Sequence, residues 1–95
     1  MVATIELVDP RGRVPVKNVT AALRRRSLQG ARLGILDNGK HHGGLLLQSL
    51  EDRLAKDYGT RPGARARKRI MAEAASSAML AELAGCDAVL TAIGD

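Results

Sequence analysis

The apolar positions fall into patterns that change along the chain. Leu46, Leu47, Leu50 and Leu54 recur at the i, i+3, i+4 spacing of an amphipathic helix and predict one over residues 45–58, with Gly59 just past its end. Residues 72–84 are alanine-rich, carry Met79, Leu80 and Leu83 on one face and stop at Gly85, predicting a second helix. Two short apolar runs, Arg32-Leu-Gly-Ile-Leu36 and residues 87–93 (Asp-Ala-Val-Leu-Thr-Ala-Ile), read as buried parallel strands. Residues 60–69 are polar and basic; Ala64 and Ala66 alternating with arginines fit either a short exposed strand or a loop. From residue 31 the order is therefore β-α-(β?)-α-β. That predicts an α/β fold, a small parallel sheet with flanking helices, right-handed crossovers and the site loops at one edge, a Rossmann-like or flavodoxin-like half.

The first part of the chain is patterned differently. Residues 2–18 hold a short alternating apolar run and then Pro and Gly breakers, which predicts an extended arm with one edge strand at most. Residues 20–28 suit one or two helical turns, with Asn18 or Thr20 as N-cap and Gly30 as the stop. Residues 1–29 thus read as an arm with a short helix, and residues 30–95 as the α/β half-domain.

Composition limits what this fold can do. The chain has 95 residues, of which Tyr58 is the sole aromatic, so its core is aliphatic and a stabilising partner is expected. No apolar stretch approaches the ~20 residues of a membrane span and the N-terminus does not resemble a signal peptide, so a cytoplasmic protein without membrane contact is expected. The single cysteine, Cys86, excludes an internal disulfide and a structural zinc site, and its apolar neighbours predict a buried, inert thiol. The formal charge of +5 sits mainly in Arg24-Arg25-Arg26 and in residues 61–69. No aromatic platform or nucleic-acid motif accompanies them, so solvated faces or an edge meeting an acidic partner are expected before nucleic acid.

Candidate chemistry gathers after the first strand. Asp37 follows that strand directly, where a carboxylate orients a ligand or transfers a proton, and is the expected catalytic residue. Asn38 both donates and accepts, Gly39 admits a ligand close to backbone N–H groups, and Lys40 supplies a cation for a carboxylate or phosphate. His41, at the expected helix start, is a further substrate-binding candidate. The same residues also suit an ordinary turn. The adjacent His41 and His42 cannot both face one metal, and no metal site is expected. At the far end, Gly94 and Asp95 close the last strand, where ligands bind and a following helix would begin. Nothing follows Asp95, so the expectation is a half-site completed by another polypeptide.

Two segments, Ile35-Leu-Asp-Asn-Gly-Lys40 and Cys86-Asp-Ala-Val-Leu-Thr-Ala-Ile-Gly-Asp95, resemble over residues 28–95 the N-terminal half of the UGSC family of selenoproteins and their cysteine homologues. There a Leu-Leu-Asp-Asn-x-Lys segment precedes a helix, a basic stretch, a second helix and a strand ending in Gly-Asp, followed by selenocysteine or cysteine and then Gly-Ser-Cys. The resemblance implies a split enzyme. This chain would give the loop of Asp37, Asn38 and Lys40 and the edge at Gly94 and Asp95. A second subunit carrying the Cys-Gly-Ser-Cys segment would give the nucleophile, activated at a helix N-terminus. Cys86 is not the motif cysteine. The implied function is the small subunit of a heteromeric, cysteine-dependent enzyme of lyase or redox type acting on a small anionic organic molecule, its cofactor unspecified. The alternative is a non-catalytic basic module that binds nucleic acid or an acidic protein.

Overall fold

The computed structural model describes residues 3–94. Its elements run β1 (Arg32–Asp37), α1 (Gly43–Tyr58), β2 (Arg61–Arg67), α2 (Ser77–Ala84) and β3 (Ala88–Ala92). The three strands form one parallel sheet in the order β2-β1-β3. The basic stretch left open between strand and loop is thus an edge strand. Pro62 fits there because one side of an edge strand needs no donor. The register jumps between Leu33, paired with Pro62, and Ile35, paired with Arg65, so Gly63 and Ala64 form an irregularity opposite Gly34.

Each helix covers one face of β1. Alternation sends Leu33, Ile35 and Asp37 to the face under α1, where Leu47 is 1% exposed, and Gly34 and Leu36 to the face under α2. Two crossovers of one hand that set out from β1 and then return across it place their helices on opposite faces, as found here. Gly34 is needed for close packing: a Cβ on it would lie 3.0 Å from both Cys86 Sγ and Leu83 Cδ2. The buried apolar core is small, comprising Ala31, Leu33, Ile35, Leu47 and Leu83.

The helix boundaries differ from expectation at their starts. α1 begins at Gly43, after His42 takes a left-handed N-cap conformation (φ 62°) without a side-chain cap bond. α2 begins at Ser77 rather than residue 72, because the Ser76 hydroxyl accepts from the Met79 N–H and fixes the first turn there. β3 is trimmed to Ala88–Ala92.

The arm departs furthest from expectation. Its described residues form neither the edge strand nor the helical turns expected over residues 20–28; the chain is extended and Leu23 is 98% exposed. A two-turn helix is marginal without a surface to bury its apolar face, and consecutive arginines add repulsion. The longest dimension is consequently 73 Å and the radius of gyration 19.8 Å, against about 12 Å for a compact chain of this length. Arg25 tethers the arm's base through an ion pair of 3.1 Å with Asp87.

Candidate functional site

The carboxyl ends of the three strands meet at one edge, and the loop after β1 ties them together. Asn38 carries most of this. Its backbone N–H donates to Ala92 O (3.0 Å), its Nδ2 donates to Ile93 O (2.6 Å), and its Oδ1 accepts from Ile93 N–H (2.9 Å). The side-chain amide thereby continues the β1–β3 ladder past the last paired residues. The Lys40 ammonium reaches the same carbonyl, donating to Ile93 O at 3.1 Å. On the other side, the Lys68 N–H donates to Asp37 O (2.8 Å), joining the end of β2 to the end of β1.

These contacts border an open cleft of about 570 Å³ lined by Asn38, Lys40, Lys68, Met71, Ala72, Ile93 and Gly94. That is the size range of small-ligand sites. Its position between the ends of β1 and β3 is where open sheets of 2-1-3 strand order bind ligands. Gly39 holds a positive φ of 84°, and a Cβ on it would lie 3.6 Å from Lys68 O and 3.7 Å from Arg67 Nε, so the turn packs directly on the end of β2.

Asp37 faces elsewhere. Its Oδ1 accepts from the Gly39 N–H (2.8 Å), and the carboxylate lies over the start of α1, 3.3–3.4 Å from where Cβ atoms on Gly43 and Gly44 would be. α1 has no acidic residue in its first turn, so Asp37 supplies the negative charge that a helix N-terminus favours. It lines a separate cavity of about 180 Å³ with Gly44, Arg65 and Arg67. The structure therefore brings Asn38, Lys40 and Gly94 to one cleft and turns the Asp37 carboxylate toward another, with Gly39 as the hinge between them. His41 is exposed, its ring 3.7 Å from that of His42, and does not line the cleft. Asp95 lies outside the described residues.

Sequence reasoning missed Lys68 and Arg67, which it left within a basic stretch of solvated faces. The signal was available: once residues 61–67 are a strand parallel to β1, its last residues must lie beside Asp37. Cys86 is remote from the cleft. Its half-buried Sγ accepts from the Ala64 N–H (3.4 Å) and sits over Gly34 and Gly63 at the middle of the sheet, capping the irregularity in β2. Among the described residues no three His, Cys, Asp or Glu side chains gather as a metal set would, and no helix is long and apolar enough to cross a membrane.

No curated protein and no solved structure matches the chain. The model of the UGSC family does match, over residues 6–95, taking in most of the arm as well as the sheet and both helices. By that match, spanning nearly its whole length, the chain belongs to the UGSC family.

Proposed function

We propose that this chain is the substrate-binding part of a heteromeric, cysteine-dependent enzyme. Its cleft holds a small anionic organic molecule, and the nucleophilic thiol comes from a second subunit that carries a Cys-Gly-Ser-Cys segment. The observation that carries the reading is the convergence of the Asn38 amide and the Lys40 ammonium on Ile93 O at the β1–β3 crevice. A cation at such an edge binds and orients an anion, while the chain's single thiol lies at mid-sheet. A cysteine-based reaction at this cleft needs a thiol other than Cys86. Addition, elimination and redox steps all suit such a thiol. The Asp37 carboxylate, turned to the neighbouring cavity, serves this cleft by setting the loop through the Gly39 N–H.

The experiment is co-expression with a polypeptide bearing a Cys-Gly-Ser-Cys segment, encoded beside this chain. A stable complex in which that cysteine is alkylated faster than free thiol, and in which Lys40→Met weakens protection by small carboxylates, supports the reading. Failure to form a complex, or protection unaffected by Lys40→Met, removes it.

A further inference from the structure

Lys68 is a charged residue of the cleft whose position is fixed by its own loop but whose charge meets no acid among the described residues. It is half-buried, and its ammonium donates to two carbonyls of its own loop, Met71 O at 2.9 Å and Glu73 O at 2.7 Å. No carboxylate pairs with it among the described residues, in contrast to Arg25, Arg53 and Arg65, each of which meets an acid. An ammonium has three donors, so one remains after these two bonds. The carbonyls orient the group without neutralising its charge. Met71, whose carbonyl Lys68 binds, and Ala72, which lies between the two bound residues, line the cleft together with Asn38 and Lys40.

We infer that Lys68 is a second anion-recognising residue of this cleft, so that the substrate is an organic molecule with two anionic groups, one taken at Lys40 and the other at Lys68. This rests on the substrate-binding reading of the cleft and extends it from an anion to a dianion. A held, uncompensated ammonium discriminates by charge, because a ligand lacking the second anionic group leaves it unmatched. Anchoring by Met71 O and Glu73 O also means that Lys68 need not be ordered when ligand arrives, which lowers the entropic cost of binding.

The test uses the isotope-labelled full chain titrated with acetate, malonate and succinate, following the backbone amides of residues 38–40, 68–72 and 94 and the side-chain Cε–Hε signals of both lysines. One of the dicarboxylates is expected to bind at least about tenfold more tightly than acetate and to move the Lys68 side-chain signal, which acetate leaves in place. Lys68→Gln keeps amide donors for the two carbonyls but removes the charge, and should bring dicarboxylate affinity down to that of acetate. Retained dicarboxylate preference in Lys68→Gln overturns the inference while leaving the cleft as a binding site. Should that variant not fold, the wild type still decides: a Lys68 signal that stays still while Lys40 responds to dicarboxylate overturns it equally. If no anion moves any cleft signal, the substrate-binding reading itself fails.

Discussion

At the scale of single residues, Asn38 and Asp37 show how one turn divides its work. Asn38 uses both ends of its amide on Ile93, so Asn38→Asp replaces a donor facing Ile93 O by a carboxylate oxygen facing it. A loss of about 1–3 kcal/mol is expected, the cost of leaving polar groups mismatched at a part-buried site, and chemical denaturation measures it. Asp37→Asn leaves an oxygen to accept from Gly39 but removes the charge. If Asp37 transfers a proton, turnover of the assembled enzyme falls roughly ten- to ten-thousand-fold with the fold intact; if it only sets the loop, turnover holds and helix stability alone declines slightly. The loop's polar composition was legible in the sequence. The direction of each side chain was not, since it depends on the alternation of β1 and on where α1 starts. A third residue, Asp87, governs acid stability. The Arg32 N–H at 2.8 Å lowers its pKa most, the charges of Arg25, Arg61 and Arg32 assist, and desolvation opposes them. Its contribution is therefore full above the ordinary carboxylate range and is lost as pH falls through the depressed folded value. Asp87→Asn should lower thermal stability at pH 7, where the contribution is full, and flatten the acid limb so that the variant and wild type converge below about pH 4; an unchanged acid limb would refute this.

At the scale of elements, periodicity located α1, β1 and β3 because each has an apolar side that the sheet or a helix buries. It left β2 undecided because arginines alternate there with alanines, Arg65 and Arg67 lying toward α1, so no apolar side marks the strand. It placed helical turns in residues 20–28 where the fold has none, since local propensity there has no apolar surface to act with. β2 is held by backbone pairing, by Arg65 with Glu51 and Gln48 of α1, and by Cys86 above Gly63. A Cβ on Gly63 would come within 2.7 Å of Cys86 Sγ and 2.8 Å of Leu33 O. Gly63→Ala should thus destabilise by about 1–3 kcal/mol, as overpacking does. Adding Cys86→Ala should recover only part of that, because the Leu33 carbonyl belongs to the backbone. Cys86→Ala alone should leave ligand binding unchanged; a double mutant restored fully to wild-type stability would show that sulfur alone sets the packing. The arm gives the opposite case. Its side chains touch little, so deleting residues 1–20, which spares Arg25, should shift the unfolding midpoint hardly at all while lowering the radius of gyration seen by scattering well below 19.8 Å.

At the scale of the whole molecule, the decisive quantity is how little apolar surface the chain buries against how much it shows. Two large side chains, Leu33 and Leu47, are fully enclosed, whereas Leu45 is 67% exposed and Ile5, Leu7, Val14, Val16 and Val19 lie open along the arm. The outer edge of β3 has no partner strand among the described residues, and Val89 on that strand is exposed. A three-stranded sheet with so small a core sits at the low end of domain stability. A polypeptide that pairs with β3 and covers α1 binds the folded state alone, and it stabilises that state by mass action, about 2.7 kcal/mol at a hundredfold excess over its dissociation constant. The chain by itself is therefore expected to unfold at low denaturant concentration with a shallow transition. With the proposed Cys-Gly-Ser-Cys subunit present the midpoint should rise, and continue to rise with that subunit's concentration. Backbone amides of β3 should become the most protected from hydrogen exchange on binding, ahead of those of β2, because the new strand adds to the β3 edge. A chain that alone shows a steep transition at high denaturant, unmoved by the second subunit, would mean that this small core is sufficient and that the exposed edge serves no assembly.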